Sequence, residues 1–198
     1  MLVAVSIIAM ALSAVPQAIA DSGETVRRRI DSVEMIGGVL CDRTRYAEVY
    51  RSGAVASCPL ARDTTIGMHA LPRGTWVQLA PDGRLTSVWL PRDWAVQGHT
   101  CRGTGNRGWS VTFHSSGGLA FCYLSDVEMI DGVPCQRGTF WMEMWRFARR
   151  SAPLGTSFHQ DGSLQQCQAA RDFLLVTKTY RKGEIVRPLN TVRPTPWA

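Results

Sequence analysis

Val33-Glu34-Met35-Ile36-Gly37-Gly38-Val39-Leu40-Cys41 returns as Val127-Glu128-Met129-Ile130-Asp131-Gly132-Val133-Pro134-Cys135, identical at seven of nine positions. Such identity within one chain marks an internal repeat, and a repeat decides the architecture before any single element does. Working outward, Gly-x-x-Cys occurs at Gly38–Cys41, Gly98–Cys101 and Gly132–Cys135, and Gly67–Ala70 fills the same slot without a thiol. A second element follows each: a turn glycine, an aliphatic residue two further on, then a cysteine three beyond. It reads Gly53, Val55, Cys58, then Gly117, Leu119, Cys122, then Gly162, Leu164, Cys167, and unit two has Gly83, Leu85 and Val88. Leu60, Leu90, Leu124 or Ala169 follows, and Asp63, Asp93, Asp126 or Asp172 closes the unit, so four units of about 30 residues run over 34–172.

Within unit two, β-rich runs flank Pro81-Asp82-Gly83 between Gly74 and Leu90. Proline fixes φ and glycine accepts a positive φ, which is the signature of a tight hairpin turn. Ser115-Ser116-Gly117 and Gln160-Asp161-Gly162 stand at the same place in units three and four. A helical period is absent except weakly before Arg29. The expected fold is therefore all-β, made of stacked, disulfide-stabilised β-hairpin repeats, each a hairpin plus a short strand over Ile-x-Gly that buries its apolar face only by stacking.

Outside the repeats, residues 21–33 read as a lead-in, 173–187 as a terminal strand or cap, and 188–198 as a tail whose Pro188, Pro194 and Pro196 bar a central strand. The apolar run Leu2 to Val15 followed by Ala18-Ile19-Ala20 reads as a signal peptide over 1–20, cleaved before Asp21. Only the Met1 amino group supplies positive charge ahead of that run, so a retained anchor is the alternative. Export to the periplasm or beyond is the expectation. The net charge of +6 comes from twenty Arg and two Lys against sixteen acids. An exported basic protein meets anionic envelope surfaces, and no nucleic acid is expected as a partner.

Six cysteines allow fifteen pairings. Unit two lacks both cysteines together, at Ala70 and Val88, which is expected only if the two positions of one unit bond to each other. The pairs are then Cys41–Cys58, Cys101–Cys122 and Cys135–Cys167, each worth roughly 2–4 kcal/mol by loop closure. No Cys-x-x-Cys supports a zinc site.

The glycines and aromatics around each short hairpin turn resemble MORN-type hairpin repeats. Phe-His-x-x-Gly-x-Leu-x-x-Cys, at Phe113 to Cys122 and Phe158 to Cys167, is similar to exported bacterial repeat proteins of uncharacterised function. The MORN likeness covers the hairpin portions, while the longer spacing and paired cysteines depart from it. Both resemblances imply an all-β repeat, and neither supplies catalytic residues.

Candidate sites are few. His114 and His159 share a repeat position, so stacking would line them up, but two imidazoles make a poor metal site. His69 and His99 fall one register apart. No Gly-x-Ser-x-Gly elbow occurs, and Glu48, Glu143 and Glu184 have no evident partner, so no catalytic residue, metal or cofactor is assigned. The closing aspartates read as turn hydrogen-bonders. Trp76, Trp89, Trp94 and Trp109 fit core packing better than a ladder for sugar rings. The cysteines of unit four lie 32 residues apart against 17 and 21 elsewhere, and the extra segment Phe140 to Arg150 carries Trp141, Trp145, Arg146, Arg149 and Arg150. Aromatics beside arginines suit a partner-binding loop, so these five are the candidate contact residues. The sequence reads best as an exported, non-catalytic binding or structural module of the bacterial envelope, with an envelope protein, a glycan or an anionic membrane surface as partner. The alternative is an enzyme acting on envelope glycans.

Overall fold

A computed structural model describes residues 23–43, 46–104, 109–139 and 155–188. The signal-peptide segment, the tail beyond Pro188 and the candidate contact residues Trp141, Trp145, Arg146, Arg149 and Arg150 lie outside the described residues.

The chain is all-β. Strand β1 (Thr25–Arg29) is followed by the short hairpin of β2 (Glu34–Ile36) and β3 (Val39–Cys41), then by the long hairpin of β4 (Tyr46–Tyr50) and β5 (Val55–Pro59). The alternation repeats through short β6 (Thr64–Ile66) and β7 (His69–Leu71), then long β8 (Trp76–Leu79) and β9 (Leu85–Trp89). Short β10 (Trp94–Val96) and β11 (His99–Cys101) precede long β12 (Ser110–Phe113) and β13 (Leu119–Cys122). Short β14 (Glu128–Ile130) and β15 (Val133–Cys135) precede long β16 (Thr156–Phe158) and β17 (Leu164–Gln168). Last come short β18 (Phe173–Leu175) and β19 (Lys178–Tyr180), then β20 (Ile185–Val186).

The long strands form one ten-stranded antiparallel meander, β1-β4-β5-β8-β9-β12-β13-β16-β17-β20, and the five short hairpins are separate two-stranded ladders. Its four tight turns are built alike. Gly53, Gly83, Gly117 and Gly162 have φ of 87°, 80°, 85° and 83°. Each donates its N–H to the carbonyl three residues back, and the register slips by one residue beside every turn. That is a type I turn closed by a left-handed glycine and bulge, which the Pro-Asp-Gly pattern demands.

One sheet face is covered. Cys58, Val77, Val88 and Val111 lie in one cross-strand row. All four are buried with Ile36, Val39, Leu71, Val96, Ile130 and Val133 of the short hairpins. Bonds Cys41–Cys58, Cys101–Cys122 and Cys135–Cys167, with Cα separations of 5.8, 5.7 and 5.6 Å, tie the end of a short hairpin to the covered face within its own unit. Three buried disulfides are the chemistry of an oxidising compartment.

Several details differ from the sequence reading. The Ile-x-Gly segment is a short hairpin, not a lone strand, and a fifth copy stands at Phe173–Tyr180. The weakly helical stretch before Arg29 is the edge strand β1, fully exposed and carrying Arg27, Arg28 and Arg29, charges that discourage further strand addition. The counterpart of the first unit cysteine in unit two is Leu71 rather than Ala70. Leu71 ends β7 as Cys41 ends β3 and is buried, whereas Ala70 faces outward. The slip arises because Gly67 aligns with Gly37, not Gly38. With Leu71 and Val88 as the paired positions, the joint absence of cysteines still holds.

Asp63, Asp93 and Asp172 each accept a hydrogen bond from the backbone N–H ten residues on, at Arg73, Gly103 and Lys182, and so brace the base of a short hairpin. Asp126 departs from them and accepts from its neighbour Val127.

Candidate functional site

Among the described residues no hairpin layer covers the opposite face of the sheet. Register pairing carries one row straight across it: Arg27, Glu48, Ser57, Gln78, Ser87, Thr112, Phe121, Ser157, Gln166. Alternation of side chains along each strand puts every member on the uncovered side. The polar groups interlock. Ser57 donates to Glu48 Oε2 at 3.2 Å, Ser87 donates to Gln78 Oε1 at 2.7 Å, and Arg187 donates to Gln166 Oε1 at 2.7 Å.

Two residues along, Pro59, Trp76, Trp89 and Ser110 form a second row, with Trp76 directly opposite Trp89. Both indoles are half-buried, and among the described residues nothing accepts from Trp89 Nε1. Phe121, on the first row, meets Tyr123 edge-to-face at 5.0 Å, and Tyr123 meets the buried Trp109 in the same way at 4.7 Å. Gly138 lies against Trp109 and Tyr123, and Gly155 packs so closely on the Phe121 ring that a Cβ would overlap it. The segment that holds the candidate contact residues therefore leaves and rejoins the described structure beside this aromatic cluster.

The four tryptophans weighed as a ladder thus separate. Trp76 and Trp89 share the uncovered face, and Trp109 is buried. Trp94 sits in the hairpin layer, where its indole donates to the Ala70 carbonyl at 2.9 Å and Arg92 lies over its ring. The pairing of Trp76 with Trp89 was legible from equal spacing on either side of Pro81-Asp82-Gly83 once the bulge is counted. The uncovered state of their face was not.

The histidines serve the packing between units. His114 Nε2 donates to the Phe158 carbonyl at 2.9 Å. His159 starts the next tight turn, and the two do not form a metal cluster. His69 and His99 occupy equivalent positions at the start of β7 and β11, so the register difference expected between them is absent. Each ring lies over a phenylalanine of the next unit, His69 on Phe113 at 4.2 Å and His99 on Phe158 at 4.6 Å. Burial pushes the His69 imidazole below the usual histidine value and outweighs the hydrogen bond to the Gly117 carbonyl, which raises it. His99 Nδ1 pairs with Glu128 at 3.0 Å, yet among the described residues no hydroxyl or thiol is hydrogen-bonded to its ring, so the pair lacks a nucleophile. Glu48 is engaged by Ser57 and Arg27, and Glu184 by Lys178 at 3.0 Å.

Among the described residues no group of three His, Cys, Asp or Glu is placed to hold a metal ion. Ser57 and Ser87 are themselves buried, so what this face offers is the half-buried indoles of Trp76 and Trp89 beside the exposed Gln78 amide and the half-buried Ser110 and Thr112 hydroxyls. These groups suit a sugar contact, with sugar C–H faces on the indoles and sugar hydroxyls on the polar groups. Compared with known proteins, the chain matches no family model, no curated protein and no solved structure.

Proposed function

We propose that the protein is exported to the bacterial envelope and works there as a non-catalytic binding module, with the uncovered sheet face as a platform for a glycan chain. The observation that carries this reading is the Trp76–Trp89 cross-strand pair beside the row of Ser, Thr and Gln, on a face that no described layer covers. A repeat stack suits an extended ligand, because each unit presents equivalent strand positions at a spacing of about 10 Å, two strand widths. The disulfides support export, since bridges persist outside the reducing cytoplasm.

A glycan array read with the wild type and with Trp76→Ala tests the reading. Retention of a glycan by the wild type, its loss in the variant, and unchanged ligand mass support the module. Products of altered mass favour the enzyme reading, and equal retention by both proteins moves the site off this face.

A further inference from the structure

The fifth short hairpin breaks the rule kept by the other four. Where their turns place Gly37, Gly67, Gln97 or Asp131, it places Val176, at φ 55°. A β-branched residue in the left-handed region is a genuine outlier, sustained only at a cost in backbone strain. Nothing in the packing offsets that cost, because Val176 is 72% exposed. Leu174, on the outer side of β18, is also exposed, and Val127 and Met129 extend the same outer surface onto the adjoining fourth hairpin. Phe173, Leu175 and Tyr180 of this hairpin pack on the core, so the exposed residues are not detached from a rigid base.

Cations stand at the base of this hairpin, with Lys178 beside its turn. Residues 171–184 hold Arg171, Lys178, Arg181 and Lys182 against Asp172 and Glu184, a net of +2. The two acids neutralise only Arg181, at 3.6 Å, and Lys178, at 3.0 Å. We infer that this hairpin is a membrane-contact tip: Leu174 and Val176 enter the interface of an anionic bilayer while Arg171, Lys182 and their neighbours meet lipid phosphates. Charge complementarity selects the occupant. An apolar tip alone would suit any hydrophobic partner and a basic cluster alone any polyanion, but the two together on one exposed hairpin fit the boundary between acyl chains and anionic headgroups. This surface lies on the hairpin layer, apart from the uncovered sheet face, so it stands or falls separately from the glycan reading.

The test is co-sedimentation of the disulfide-intact protein with phosphatidylcholine vesicles, with and without phosphatidylglycerol. Binding is expected only with the anionic lipid. Leu174→Ser with Val176→Gly should weaken it about tenfold, the loss of two partly inserted apolar side chains. Arg171→Gln with Lys182→Gln should weaken it about fivefold per charge. Val176→Gly alone separates function from structure: relief of the left-handed strain keeps or raises the melting temperature while vesicle binding falls. Equal binding to neutral vesicles overturns the inference. So does a soluble polyphosphate that binds wild type and Val176→Gly alike, or a Leu174- and Val176-dependent dimer in sedimentation without vesicle binding.

Discussion

The Tyr50 hydroxyl donates to the Leu79 carbonyl at 2.8 Å, fastening the first residue of one tight turn to the last strand residue of the next unit. His114 makes the same link to Phe158 in units three and four. In unit two the turn begins with Ala80, which has no such reach, and Arg84 instead crosses to the Ser115 carbonyl at 3.3 Å. Side chains of different chemistry thus couple neighbouring units at one position.

Tyr50→Phe removes one such link. A loss of about 1 kcal/mol in denaturant unfolding is expected. Hydrogen exchange should quicken at the turn between β4 and β5 before it quickens elsewhere.

The unbridged unit supplies a sharper test. Leu71→Cys with Val88→Cys should form a fourth disulfide under oxidising conditions and add roughly 2–4 kcal/mol. Ala70→Cys with Val88→Cys should remain reduced, since Ala70 faces outward. Peptide mapping without reductant distinguishes them, and a bridge in the second variant alone would reverse the register given above.

Burial of His69 makes stability depend on pH. Its folded pKa lies below the unfolded value of 6.5, so between the two the unfolded chain binds the proton more readily. The contribution is complete above pH 6.5 and is lost as pH falls through the folded pKa. His69→Val, with the residue of Val39 and Val133 at that position, should flatten this slope in urea titrations. The Gly117 carbonyl keeps a donor in the variant, because Gln97 also reaches it, at 3.1 Å.

Export is checked directly. Protein recovered from the envelope should begin at Asp21 by N-terminal sequencing, and an intact Met1 would favour an anchor. Replacing Trp145, Arg149 and Arg150 together by Ala should weaken association with the native partner at nearly constant melting temperature.

Much of the fold was readable because turn chemistry is local. The glycine of each tight turn fixes where strands reverse, and the paired cysteines fix which segments meet. Misreadings arose where local counting lacked a tertiary anchor. In unit two the glycine of the short turn sits at its first position rather than its second, so counting from it put Ala70 where Leu71 belongs. Asp126 was aligned by residue type, though its bond to Val127 sets it apart. The uncovered face was invisible for a different reason: alternation shows that Gln78 and Trp76 share a side, but only the path of the short hairpins shows which side they cover. Val176 carried no sequence signal at all, since its neighbours look like any β-strand.

Spatial order in the sheet follows chain order, so a pull on the two ends would peel the strands away one after another rather than shear them together. The disulfides cap that extension. Each locks a closed loop of 17, 21 or 32 residues that cannot lengthen. Unit two has no such lock, so among the four units it is the one whose chain can lengthen freely between its neighbours' closed loops.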